Sequence, residues 1–359
     1  MSAETVVFSS WHGRWSDSPR AISAELLRRG SPLQQVWVLA DGAGEPPPEV
    51  RRVAPDSPEE LAALADARYV VSNDVLPSDW AKRPDCTYLQ TWHGTPLKRI
   101  AFDVVDPRFP DAEYHYAVEL GREVAKWDVL LSQNPFSTEI LRKAFRFEGE
   151  ILETGYPRND ALRRPDRDAI RARVRAALEL PEDTHAVLYV PTWRDSFEHT
   201  LALDLPLLRR ELGDGTTMLV RAHGLTAHTD RGESGPGVRN VSRWPDVTEL
   251  YLAADVLLTD YSSAMVDFAA TGKPLLLYTH DLERYRDEIR GFTIAFEEEV
   301  PSPLLRTSAE VAAALADVPG ATAPYRERYA AWAQRFCPWD DGGAAGRVVD
   351  AVFGRESGA

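Results

Sequence analysis

The residue types that could do chemistry fall in short stretches, most of them just past a run of apolar residues. Thr91-Trp92-His93-Gly94-Thr95-Pro96-Leu97-Lys98 puts a histidine in a turn beside a glycine, where a substrate can come close to the backbone. Imidazole is the side chain best matched to moving a proton near neutral pH. A histidine satisfied by loop hydrogen bonds is the competing reading, and spacing alone does not choose between them. Arg221-Ala222-His223-Gly224 repeats the arrangement after Met218-Leu219-Val220. There His223 with Arg221 suits phosphate charge better than proton abstraction, because cations and donors near transferring oxygens stabilise developing negative charge. Thr259-Asp260-Tyr261-Ser262-Ser263 leads into a helix predicted to stop at Gly272. Two hydroxyls at a helix start suit a phosphate or pyrophosphate; on this segment alone, serines that simply cap their helix are the commoner arrangement. Pro191-Thr192-Trp193-Arg194 offers a hydroxyl, an indole and a guanidinium where a nucleotide could dock, with pairing of Arg194 to Asp195 an equal alternative. Gly155-Tyr156-Pro157-Arg158-Asn159-Asp160 reads first as turn chemistry.

The elements that must hold these stretches alternate between strand and helix. Strands are predicted at Thr5-Val6-Val7-Phe8-Ser9-Ser10, Val36-Trp37-Val38-Leu39, Tyr69-Val70-Val71-Ser72, Thr87-Tyr88-Leu89-Gln90 and Val129-Leu130-Leu131-Ser132. A helix from Asp17 stops at Gly30. Continuous apolar runs of this kind suit a parallel sheet wrapped by helices. A charged helix over about 167–180 is the candidate connector, and a second series of strands begins at Ala186-Val187-Leu188-Tyr189-Val190. It continues through Met218-Leu219-Val220, Val256-Leu257-Leu258 and Leu275-Leu276-Leu277. The expectation is a first lobe over 1–165 and a second over 180–324. Ligands of such sheets bind at the carboxyl ends of the strands, so facing lobes would share one cleft.

Composition narrows the function. The chain has 359 residues, enough for two domains, and 44% hydrophobic with 27% charged residues fits a globular protein. Its formal charge of -15 argues against nucleic acid as the main partner. With only Cys86 and Cys337, neither a disulfide framework nor a cysteine metal site is expected, which points to a reducing, cytoplasmic setting. No histidine pair has the helical spacing of a zinc site, so no metal is expected. No signal peptide and no run of about 18 apolar residues is present, while peripheral contact with a membrane surface is left open.

Taken together, these motifs resemble the CDP-glycerol:poly(glycerophosphate) glycerophosphotransferases, the primases and polymerases of teichoic acid and some capsules. The resemblance rests on Asp17-Ser18-Pro19-Arg20, Trp92 to Lys98, Gly155 to Asp160, Pro191 to Arg194, Thr259 to Ser263, Asp267, Lys273-Pro274, Tyr278, Asp281, Tyr285 and Arg290-Gly291-Phe292. It implies an α/β GT-B fold, two Rossmann-like lobes with an interlobe cleft, and a final helix over about 325–353 that packs back on the first lobe. The first lobe would serve the acceptor and the second the CDP donor.

The resemblance also implies the reaction: an alditol phosphate moves from a CDP-alditol, CDP-glycerol above all, to a hydroxyl of a lipid-linked or oligomeric glycerophosphate or glycan acceptor, releasing CMP. His93 then resembles the general base and His223 the donor to the pyrophosphate. Ser262 and Ser263 would hold the phosphates, with Asp260, Asp267, Thr192, Arg194 and Arg221 around the donor. Gly94, Thr95, Lys98 and Arg158 are acceptor-side or structural. No cofactor is implied beyond the donor substrate. Family polymerases commonly carry a long N-terminal extension associated with the membrane, whereas here the first strand begins almost at Met1. This argues against processive polymerisation and tight membrane attachment and favours a primase-like enzyme adding one unit, or one using a shorter acceptor, in the cytoplasm or at the inner face of the membrane. A nucleotide-sugar glycosyltransferase of the same architecture and a non-catalytic nucleotide-binding scaffold are the alternatives.

Overall fold

A computed structural model describes residues 4–104, 116–192, 201–221 and 235–354. Two all-parallel sheets form the framework. The first contains β1 (Thr5–Ser9), β2 (Gln34–Val38), β3 (Arg51–Val53), β4 (Tyr69–Ser72), β5 (Thr87–Gln90), β6 (Val129–Ser132) and β7 (Glu150–Glu153), in the order β3-β2-β1-β4-β5-β6-β7. The second contains β8 (His185–Val190), β9 (Thr216–Val220), β10 (Val238–Asn240), β11 (Val256–Thr259), β12 (Leu275–Tyr278) and β13 (Leu304–Leu305), in the order β10-β9-β8-β11-β12-β13. This is the two-lobed α/β arrangement expected. The interior strands β1, β4, β6, β11 and β12 are buried along almost their whole length, which is why their sequences are unbroken apolar runs. Edge strands β3, β7 and β10 carry exposed or half-buried Arg51, Arg52, Glu150, Glu153 and Arg239, and no sequence pattern marked them as strands.

Each sheet reverses direction once. In the first, β1 lies between β2 and β4; in the second, β8 lies between β9 and β11. The loops after β1 and β4 leave in opposite directions and open a crevice between them, as do those after β8 and β11. Both crevices sit at the ends where the candidate residues are found.

The helix Arg167–Ala177, expected as a connector, belongs to the second lobe. Val174 is fully buried in that core, and Arg171 donates to the Leu252 and Ala253 carbonyls and to Asp255. The return over about 325–353 is two helices rather than one. Arg326–Phe336 stays on the second lobe through Trp332 and Phe336, with the Tyr329 hydroxyl donating to the Lys273 carbonyl at 2.8 Å. Ala344–Val352 packs Val348, Val349 and Val352 with Ile22 and Leu26 of the helix Asp17–Arg28 in the first lobe. Pro338 lacks the N–H that would continue the first of these helices, and Gly342 at φ +96° turns the chain toward the second. Among the described residues no helix is long and apolar enough to cross a membrane.

Candidate active site

His93 lies in the first crevice, and the groups around it fix its chemistry. Its Nδ1 is 2.8 Å from the main-chain oxygen of Asn73, just past β4. A carbonyl only accepts, so Nδ1 carries the proton and Nε2 keeps its lone pair. Two tryptophans hold the ring. Trp92 stacks on it with centroids 4.1 Å apart, and Trp11, just past β1, lies 4.6 Å away on a tilted plane. Trp11 is anchored by its main-chain N–H on Asn73 Oδ1 and by its indole N–H on Asp17. Trp92 adopts φ +51° and Trp11 φ +46°, backbone conformations that cost an aromatic residue on the order of 1 kcal/mol or more and persist where the surroundings impose them. Burial lowers the His93 pKa below its ordinary value of 6.5, with Arg158 adding to the effect. The Asn73 carbonyl, Asp74 and Asp17 pull the other way without reversing it, so the ring is neutral at pH 7.

The loop carrying His93 is attached to the second lobe. The Thr293 N–H donates to the Leu97 carbonyl at 3.0 Å, the Thr293 hydroxyl donates to the Pro96 carbonyl, and Lys98 forms an antiparallel bridge with Phe292. Leu97 is buried in the second lobe's core. Gly94 sits against the turn that follows β11: a Cβ placed there would overlap Ser263 Oγ and lie 3.2 Å from Ser263 Cβ. The glycine is thus required by close approach, and it brings His93's neighbour onto the serine pair. The following helix, Ala264–Ala269, has six residues. Ser262 Oγ accepts from the Ala264 N–H, while Ser263 Oγ has no hydrogen-bond partner among the described residues.

The other expected donor-side residues are occupied by the fold. Asp260 accepts from the Thr192 N–H at 2.9 Å, from the Thr192 hydroxyl and from the Tyr261 N–H, so the pair Thr192–Asp260 ties β8 to β11 at the second crevice. Arg221 donates to the Val241 and Trp244 carbonyls, and burial, with the nearby charge of Arg14, presses its pKa down to about 10. Asp267, expected at the donor, is 3% exposed and accepts from Arg158 at 2.6 Å and Asn159 at 3.2 Å. Both of its oxygens are engaged there. Thr95 donates to Gln133, which donates to Asp340 at 2.9 Å, and Asn159 donates to the same carboxylate. Thr95 is therefore a structural link to the segment between the two final helices. Arg194 and His223 lie outside the described residues.

Sequence reasoning did not assign Asn73, Trp11 or Gln133. An Asn-Asp pair directly after a strand was the available signal for Asn73. Nothing in the sequence marks Trp11, because its role depends on β1 and β4 being neighbours. Among the described residues no group of three or more histidine, cysteine, aspartate or glutamate side chains could hold a metal ion.

Known proteins resemble this chain along nearly its whole length. Residues 1–354 match the family described as CDP-Glycerol:Poly(glycerophosphate) glycerophosphotransferase. The teichoic acid poly(glycerol phosphate) polymerase of Bacillus subtilis (strain 168) is 36% identical over 98% of this chain, which spans about half (49%) of that protein's length. The teichoic acid glycerol-phosphate transferase of Staphylococcus aureus is also 36% identical, over 97% of this chain and 92% of its own. The solved structure of the wall teichoic acid polymerase TagF superposes with a TM-score of 0.89 at 34% identity, covering 98% of this chain and 89% of that one. The fold is accordingly GT-B-like, and the chain belongs to the CDP-glycerol:poly(glycerophosphate) glycerophosphotransferase family.

Proposed function

We propose that this cleft transfers glycerol phosphate from CDP-glycerol to a hydroxyl of a glycerophosphate-type acceptor. The acceptor oxygen attacks the donor's β-phosphorus in line. One O–P bond forms, the bridging P–O bond breaks, and its electron pair leaves on CMP. His93 Nε2 takes the hydroxyl proton. The observation that carries this reading is the contact of Gly94 with Ser263, which brings a base of fixed tautomer to a hydroxyl on the opposite lobe that has no hydrogen-bond partner among the described residues. Ser263, with Ser262 beside it, would face the phosphates, and His223 would stabilise charge on the leaving diphosphate, a role that rests on its place in the family's pattern.

The acceptor is expected at the cytoplasmic face of the membrane, carried on a lipid or as a soluble oligomer. Identity to a glycerol-phosphate transferase of similar length supports glycerol as the alditol. The first experiment is CMP release from CDP-glycerol, CDP-ribitol and a UDP-sugar, each with and without a lipid-linked glycerophosphate acceptor. Acceptor-dependent CMP release from CDP-glycerol is expected. Turnover of the UDP-sugar alone would make the protein a glycosyltransferase, and CDP binding with no turnover of any donor would favour a scaffold. His93→Ala should abolish turnover while CDP binds within about threefold of wild type, because the base contributes to the reaction and not to nucleotide affinity. Equal loss of both would refute its role.

A further inference from the structure

We propose that Arg158 is a positioning residue for this transfer, fixing the His93 loop in register with the second lobe through Asp17, Asp267 and the His93 carbonyl. The inference rests on the function proposed above. Arg158 is 5% exposed. One terminal nitrogen donates to both Asp17 oxygens, at 3.0 and 3.1 Å, and to the His93 main-chain oxygen at 3.0 Å. The other donates to Asp267 at 2.6 Å. Asp17 opens the first lobe's helix Asp17–Arg28, and Asp267 lies in the second lobe's helix Ala264–Ala269, directly after the serine pair. A single planar guanidinium therefore spans from the base loop to the helix behind the phosphate turn.

Geometry makes the substitution of this side chain specific. A lysine ammonium is one point charge on a flexible stem and cannot reach two carboxylates and a carbonyl on divergent lines, whereas the guanidinium's fixed fork can. The Tyr156 ring lies 4.7 Å from the guanidinium, and Asn159 holds the second oxygen of Asp267. Both neighbours come from the same turn, Pro157–Arg163 and the residue before it. The sequence motif Gly155 to Asp160, read first as a turn, thus carries an arginine whose contacts lie on both sides of the cleft.

The charge of Arg158 also reaches the imidazole. The charged groups facing His93 are Asp17 and Arg158 beside it and Asp74 past β4, the last paired with His12 at 3.2 Å. Removing the guanidinium leaves Asp17 unopposed, which stabilises the imidazolium. A purely structural role would not move the base's titration.

The test compares Arg158→Gln, Arg158→Lys and Asp267→Asn in CMP release with the active donor and acceptor, with kcat, KM and the acid limb of kcat/KM measured for each. Arg158→Gln should lower kcat by about 100-fold, the loss expected when reacting groups are misplaced by about 1 Å, with donor KM within about threefold. Its acid limb should move to higher pH. Arg158→Lys should return the limb to its wild-type position while restoring kcat only in part. If Arg158→Gln does not fold, Asp267→Asn decides, since it keeps the shape and removes only the anchoring charge; about tenfold lower kcat at unchanged KM is expected. Wild-type kcat in the folded variants, or a loss confined to KM, overturns the inference. A wild-type protein that turns over no donor would instead overturn the underlying function.

Discussion

Gly94→Ala separates stability from catalysis at the lobe contact. Gly94 has no left-handed backbone angle, so alanine meets no conformational penalty there, and the whole effect comes from what the new methyl touches. It overlaps Ser263 Oγ and reaches Ser263 Cβ at 3.2 Å, a few tenths of an ångström inside ordinary contact. The hydroxyl can rotate away; the Cβ can only yield slightly. Overpacking of this size costs about 1 kcal/mol, the low end of the usual range, equivalent to about 2 °C in melting temperature for a chain of this size. The displaced hydroxyl matters more. Removing one donor from developing phosphate charge costs about 100-fold in kcat, or about 2.7 kcal/mol. The assay is CMP release with saturating donor and acceptor, run on Gly94→Ala, Ser263→Ala and the double variant. Gly94→Ala should lose about 100-fold in the wild-type background and no more than about threefold once Ser263 is alanine. Equal losses in both backgrounds, or a fully active Gly94→Ala, would refute the assignment of Ser263 to the reacting phosphate.

Two further outcomes follow from titrations. A general base must be neutral, so activity is present above the His93 pKa and lost as pH falls through it; because burial lowers that pKa, the acid limb of kcat/KM should lie below pH 6.5, and a limb above 7 would exclude His93. Asp340 is pushed up to about 6, by burial first and then by the charge of Asp267. A raised carboxyl stabilises the folded state at low pH and loses that contribution as pH rises through about 6, so the stability of Asp340→Asn relative to wild type should increase by about 2 kcal/mol between pH 4.5 and 7.5 in denaturant titrations. A pH-independent difference would show that Asp340 ionises freely.

The sequence was most legible where one physical demand dominated. Buried strands such as Val129–Ser132 and Val256–Thr259 need apolar residues on both faces, and their runs announced them. Gly94 stands out in the sequence because a glycine beside a histidine invites close approach, and what approaches it in the fold is the protein's own Ser263. Asp267 shows the limit. A carboxylate one turn into the helix after a serine pair suggests a ligand contact, and only the fold reveals that it meets an arginine 109 residues away in sequence. Trp11 was silent for the same reason: its partners Asn73 and His93 are neighbours through sheet order, which no local pattern encodes. The two final helices were merged because Arg326–Phe336 and Ala344–Val352 both carry apolar faces, and the different lobes that receive those faces are set by tertiary packing.

The last helix gives the protein an unusual order of assembly. Ile22 and Leu26 are made more than 300 residues before their partners Val348, Val349 and Val352. The first sheet is complete at Glu153, so at ordinary translation rates of about 5–20 residues per second the nascent first lobe waits about 10–40 s for its final apolar partner. During that interval the second lobe can finish its own core, because the helix Arg326–Phe336 reaches it first. The first lobe is therefore the later to mature. The apolar stripe on the helix Asp17–Arg28 stays uncovered until then, and a released chain truncated before Ala344 should carry a folded second lobe beside a protease-sensitive first one.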